Sequence, residues 1–194
     1  MKRLAILSAG LLLAGCGHSP PTRFYTLDAV AAAHAVSAGP RAPVQLSAVH
    51  LPPALDRPQV VTQIGPNRLH VSEQDQWGAP LDDMMRRALA QDLLARLPEG
   101  DFISPDAPRP SGARGLVVDV VQLQATADRV VLQANWTLTG GASGDVQLSR
   151  TEELTAELRT PAPKQGQDAG AQADAISRLL AELSDRIAAA LAAR

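Results

Sequence analysis

The feature that most constrains this chain is that it has a single cysteine. With Cys16 as the only thiol, no disulfide within the chain can close a loop, so the fold must stand on core packing and backbone pairing. Where Cys16 sits matters as much. Lys2 and Arg3 give a positive start, Leu4 to Leu13 a nearly unbroken apolar run, and Ala14 and Gly15 a small pair directly before the cysteine. This is the anatomy of a cleaved export signal. The apolar run is too short to cross a bilayer, which takes roughly 20 residues. Leu13-Ala14-Gly15-Cys16 therefore reads as a lipobox, in which the Cys16 sulfur receives a diacylglyceryl group and, after cleavage, the new amino terminus is N-acylated. The alternative is an ordinary signal peptide with an incidental cysteine. Each buried acyl CH2 gains about 0.8 kcal/mol, and two or more chains anchor stably where one anchors reversibly.

Removing residues 1–15 leaves enough chain for one domain burying roughly 70% of its unfolded surface. The divisions expected are a lipoprotein signal over 1–15, a lipidated N-terminus and linker over 16–43, and a domain over 44–194. The formal net charge is −2, and loss of Lys2 and Arg3 with the leader makes the remainder more acidic, with no basic run. Such a chain is a poor partner for nucleic acid or for electrostatic adhesion to anionic lipid. Aromatic residues are 3% of the chain, too few for platforms that stack sugars or single-stranded nucleic acid.

Gly17 to Thr22 is a short polar tether containing Pro20 and Pro21, and Arg23 to Asp28 is the first cluster able to pack. If only those six residues are slack, a flexible tether spans about 14 Å. Residues 29–43 have loop composition. Val44 to Leu51 alternates as a strand and stops at Pro52-Pro53. Val60 to Ile64 and Arg68 to Ser72 pair around Gly65-Pro66-Asn67. Gln76 to Pro80 breaks the chain before a helix whose face carries Leu81, Met84, Met85, Ala88, Leu89, Leu93 and Leu97, with Asp82 and Asp83 at its positive end and Arg96 at its negative end. Gly115 to Thr126, Arg129 to Thr139 and Asp145 to Leu158 read as a meander, and their glutamines point to one wet sheet face. A Pro/Gly/Gln linker, 160–170, leads into a terminal helix with Ile176, Leu180, Leu183, Ile187 and Leu191 on one stripe. The expected fold is α/β: a single domain with a mixed β-sheet and two long packed helices, as a two-layer or three-layer sandwich.

With these elements placed, the chain resembles the ABC-type transport auxiliary lipoproteins, the family of paraquat-inducible protein C. Three motifs carry the resemblance: Phe24-Tyr25-Thr26-Leu27, Leu51 to Val61 with Leu55-Asp56-Arg57-Pro58-Gln59 at its centre, and Trp77-Gly78-Ala79-Pro80-Leu81. Gly78-Ala79 departs from the family's usual Ala-Glu, and Gln76 from a common arginine. The resemblance implies an accessory role in moving lipid or other apolar cargo between inner and outer membranes, beside a periplasmic protein of the mammalian-cell-entry (MCE) type. Gly17 stands where, by similarity to enteric lipoproteins, an aspartate would signal retention in the inner membrane, so the periplasmic face of the outer membrane is expected.

The candidate partner-binding residues are Asp56, Arg57 and Trp77. Pro58 restricts Arg57 to extended geometry, which either stabilises a turn capped by Asp56 or holds a guanidinium ready for a partner. Trp77 either wedges under the helix start or forms a docking hot spot. Beyond lipid on Cys16 no cofactor is expected. His18, His34, His50 and His70 lack metal-ligand spacing, Ser143 lacks a nucleophile elbow, and no carboxylate pair or phosphate loop stands out. A non-enzymatic, self-associating adaptor is expected, with a lipid carrier or a surface-assembly lipoprotein as alternatives.

Overall fold

A computed structural model describes residues 20–32, 42–141, 144–159 and 169–193. The leader, Cys16, His18, His34, Ser143 and most of the 160–170 linker lie outside the described residues. Eight strands and two long helices follow in chain order: β1 Arg23–Tyr25, β2 Val44–His50, a 3-10 turn Pro53–Leu55, β3 Gln59–Gly65, β4 Arg68–Trp77, α1 Leu81–Arg96, β5 Phe102–Ile103, β6 Arg114–Ala125, β7 Arg129–Thr139, β8 Val146–Glu157 and α2 Ala169–Ala192.

The α/β class, the two helices and the meander are those read from the sequence. The mixed pairing, however, divides into two sheets: a five-stranded one ordered β5-β2-β6-β7-β8 and a three-stranded one ordered β1-β4-β3. In the larger sheet β2 runs parallel to β5 and β6, and β6, β7 and β8 alternate antiparallel. Along β7, Val130, Leu132, Ala134, Trp136 and Leu138 are buried and the intervening residues half-buried. This period of two puts one face on the core and leaves the other wet, where Thr151 donates to Asn135 at 2.7 Å.

Both helices pack side by side on the apolar face. The stripe Ile176, Leu180, Leu183, Ile187 and Leu191 is buried throughout, and Ala173, Ala175 and Ala188 are buried beside it. Such small residues let neighbouring elements approach closely. Arg96 is not at a solvated helix end: it is 2% exposed and held between the helices, and its partners are described below. Trp136 is the largest of the fully buried side chains.

The smaller sheet forms where β4 runs to Trp77, five residues beyond the Ser72 end expected from the sequence. The Gln76-Trp77 break is instead strand, because β1 supplies it with a second partner: Arg23, Phe24 and Tyr25 pair parallel with Asp75, Gln76 and Trp77. The fold thus takes in residues from the segment assigned to the linker, including Leu27, which is 7% exposed in the core. On its other side β4 pairs antiparallel with β3. Pro66 and Asn67, the latter at φ 56°, form their turn, a type II residue pattern.

Candidate functional site

The three sequence motifs meet at one end of the small sheet. Gly78 donates its backbone N–H to the Tyr25 carbonyl at 2.8 Å, and Trp77 donates its own to the Pro58 carbonyl at 2.7 Å. The start of the third motif is therefore clamped between the first and the second. Leu55, Gln59, Val61, Trp77 and Leu81 line one small void of about 10 Å3, so the second and third motifs share packing as well as backbone.

The second motif owes its shape to its prolines. Pro52 is extended (φ −59°, ψ 142°) and leads into the 3-10 turn. Leu55 N–H reaches Pro52 O at 2.9 Å and Asp56 N–H reaches Pro53 O at 3.3 Å. Asp56 itself sits at φ −77°, ψ 72°, with Arg57 N–H donating to Leu55 O at 2.9 Å. This is an inverse γ-turn. The turn is capped by backbone, and the Asp56 carboxylate hydrogen-bonds to no described residue. Asp56, Arg57 and Pro58 are all exposed. Trp77 is 6% exposed in the core, the place its packing reading requires. Of the three sequence candidates, Asp56 and Arg57 are exposed and Trp77 is buried, joined to their turn through its N–H on the Pro58 carbonyl.

Beside this motif lies an open groove of about 230 Å3 between the two sheets. Pro52, Ala54 and Leu55 form one wall, Val61, Gln63 and Leu69 another, and residues 121–125 of β6 the third. A register shift between Val120 and Gln122 shapes the β6 wall and leaves Val121 49% exposed.

The N-terminal segment is held at further points, among them Asp28 N–H on Ser177 Oγ at 3.1 Å and two carboxylates, none legible as a motif. Asp75 accepts from Arg23 Nε at 2.7 Å, Ser72 Oγ at 2.8 Å and Tyr25 Oη at 3.1 Å. Burial raises the Asp75 carboxyl, but bonds from Arg23, Ser72 and Tyr25 and the charge of Arg23 outweigh it and hold it below the usual carboxylate range. Farther on, Val30 N–H donates to Asp92 Oδ1 at 2.9 Å, and Arg96 donates to Asp92 Oδ1, Val30 O and Asp185 Oδ1. Asp92 is fully buried and its Oδ2 has no hydrogen-bond partner among the described residues. Burial pushes its carboxyl up to about 6, against the pull of the Val30 bond and Arg96. Paired charges inside a sequence are invisible until the fold opposes them; an Asp four residues before an Arg on one helix face was the only signal available.

The remaining chemistry is spare. His50 Nδ1 lies 2.7 Å from Asp119 Oδ1 at the surface, and His70 is exposed. Among the described residues no group of three or more His, Cys, Asp or Glu is placed to hold a metal ion, and no helix is long and apolar enough to cross a membrane.

Solved structures of similar fold include an uncharacterized protein, 21% identical, with a TM-score of 0.69 over 89% of this chain and 99% of its own. A protein from Xanthomonas campestris, 14% identical, aligns with a TM-score of 0.71 over 88% of this chain and 95% of its own. At these identities the likeness concerns the fold alone. No curated protein matches the chain at a significant level. The family model for the ABC-type transport auxiliary lipoprotein component matches residues 25–188, from the last residue of β1 nearly to the end of α2, and takes in the second and third motifs whole and the first from Tyr25 on. The chain belongs to the ABC-type transport auxiliary lipoprotein family.

Proposed function

We propose that the protein is held by acyl chains on Cys16 to the periplasmic face of the outer membrane and serves as the accessory subunit of an intermembrane lipid transport system. Its partner is a periplasmic transport protein of the MCE type. One observation carries this reading: β1 pairs with β4 from Arg23 onward, so only six residues of sequence separate Cys16 from the fold. Even fully extended, that length of chain reaches no more than about 25 Å. A domain on so short a leash works at a bilayer surface and presents a surface to whatever arrives there.

The surface presented is the Asp56-Arg57 turn with its neighbouring groove. A rigid backbone turn holding an exposed guanidinium suits a carboxylate or carbonyl of a protein partner. At about 230 Å3 and open to solvent, the groove is smaller than the roughly 300–1,000 Å3 of sites that enclose small ligands. It suits a partner's side chains better than a whole phospholipid, which favours docking over carriage. No residue is assigned a catalytic role.

The test is a photo-crosslinking amino acid at position 57 in living cells. Adducts identified as subunits of a transport system support the assignment. Adducts confined to proteins of cell-surface assembly would replace it with the assembly reading, and stoichiometric phospholipid on the delipidated protein in native mass spectrometry would replace it with the carrier reading.

A further inference from the structure

The small sheet leaves an apolar surface that the fold does not cover. On the β3–β4 hairpin Ile64, Leu69 and Val71 are 44%, 55% and 38% exposed. Leu69 is also the hairpin-side wall of the groove, so a contact there leaves the Pro52, Ala54 and Leu55 wall, beside Asp56-Arg57, to the partner. Scattered exposed apolar residues are ordinary, but several gathered on one hairpin mark a contact surface.

What covers it follows from the direction of β1. Because β1 is parallel to β4, with Arg23 opposite Asp75, its amino-terminal end points along β4 toward Arg68 and the Pro66-Asn67 turn. Pro20 and Pro21 have no N–H to extend the pairing. Seven residue steps separate Arg23 from Cys16, and seven separate Asp75 from Arg68. Seven extended steps reach at most about 25 Å, and seven strand steps cover about 23 Å. The amino-terminal end of β1 is therefore directed at the hairpin tip, and the chain length between Cys16 and Arg23 is enough to span that distance. A bilayer holding the acyl chains of Cys16 lies within reach of that tip, while Asp56-Arg57 lies at the other end of β3.

We propose that the β3–β4 hairpin is a second membrane contact, seating Ile64, Leu69 and Val71 in the interfacial zone of the phospholipid bilayer that holds the Cys16 acyl chains. The proposal rests on lipidation of Cys16. Exposed Arg68, beside the turn, keeps its guanidinium at headgroup phosphates while its stem lies along the apolar side chains. One cation and a few aliphatic side chains bind a bilayer weakly by themselves. The anchor makes the contact intramolecular, and a high effective concentration sustains it. Its consequence is orientation: the tether alone allows any tilt, whereas tether plus hairpin holds the Asp56-Arg57 end outward.

The test uses the processed, acylated protein in phosphatidylethanolamine/phosphatidylglycerol vesicles carrying a doxyl quencher near the headgroups. Leu69→Trp places a reporter on the patch, against native Trp77 and Trp136 that are 6% and 0% exposed. Val146→Trp is the control: Val146 is 64% exposed and pairs with Thr139, at the opposite end of the five-stranded sheet from residues 121–125. The emission added at position 69 should shift to the blue and lose most of its intensity to the quencher, while that at 146 changes little. Pro66→Cys with an environment-sensitive dye, unique because the Cys16 sulfur is acylated, should report the same contact. Flotation of the same samples separates the two layers of the argument. Protein that floats with vesicles but shows no quenching at 69 or dye response at 66 overturns the hairpin contact and leaves the anchor standing. A blue shift without quenching puts a second protein copy on the hairpin and also overturns it. Protein that does not float and carries no acyl mass on Cys16 removes both.

Discussion

Two carboxylates grip the N-terminal segment of the fold, between Arg23 and Val30, and they do so in opposite ways. Asp75, in the small sheet, takes bonds from Arg23, Ser72 and Tyr25 and is held below the usual carboxylate range. Asp92, under the helix pair, takes Val30 N–H and Arg96 but leaves Oδ2 unpartnered among the described residues, and burial raises it to about 6. The first grip is a satisfied charge at a rim; the second is a buried charge held in place by its cation. Their linkage to pH has opposite sign. Asp75 stabilises the fold above its unfolded pKa, and that contribution is lost as pH falls through the depressed folded value. Folded Asp92 holds its proton to higher pH than the unfolded chain does, so stability declines as pH rises from 3.8 to about 6, where it ionises against Arg96, and is level above.

The comparison can be broken at several points. The largest effect is expected from Arg96→Ala, which strands the buried Asp92: about 3–5 kcal/mol in urea denaturation. A loss well under 1 kcal/mol would show that the helix-side grip does not depend on the cation. Asp75→Ala removes the acceptor of three side-chain donors and should cost about 1–3 kcal/mol. It should also expose residues 23–28 to protease before the rest of the chain unfolds; simultaneous cleavage would mean that β1 and the core are one cooperative unit. Asp92→Asn sharpens the contrast without removing volume. Its stability profile should flatten between pH 4 and about 6 relative to the parent, while the loss at lower pH due to Asp75 persists. An unchanged profile would mean that Asp92 does not titrate in that interval. The smallest effect on stability is that of Arg57→Ala, within about 0.5 kcal/mol for an exposed residue, yet partner crosslinking from the neighbouring turn should disappear.

The helices and the meander were legible because their residues repeat at the spacing of their elements. Ile176, Leu180, Leu183, Ile187 and Leu191 form one stripe in sequence and one buried face in the fold, and Val130 to Leu138 alternate in both. The small sheet was less legible. Gln76-Trp77-Gly78 carries turn and breaker composition, and only pairing with Tyr25, 52 residues upstream of Trp77, makes it strand. Local preference yields there to a contact that no window of sequence contains. For the same reason Arg96 read as a helix-end charge, since the residues that bury it come from α2 and the N-terminal segment. Of the candidate site, the Asp56-Arg57 turn was visible through its prolines. The exposure of Ile64, Leu69 and Val71 was not, because their alternation matches that of a buried strand.

Everything proposed here hangs on the tether that begins at Cys16. The most direct test is the mass of the N-terminal peptide of protein extracted from membranes. Cys16 at the amino terminus, carrying diacylglyceryl and N-acyl mass, is the result the account predicts. An unmodified Cys16 thiol on protein recovered from the aqueous fraction would contradict it.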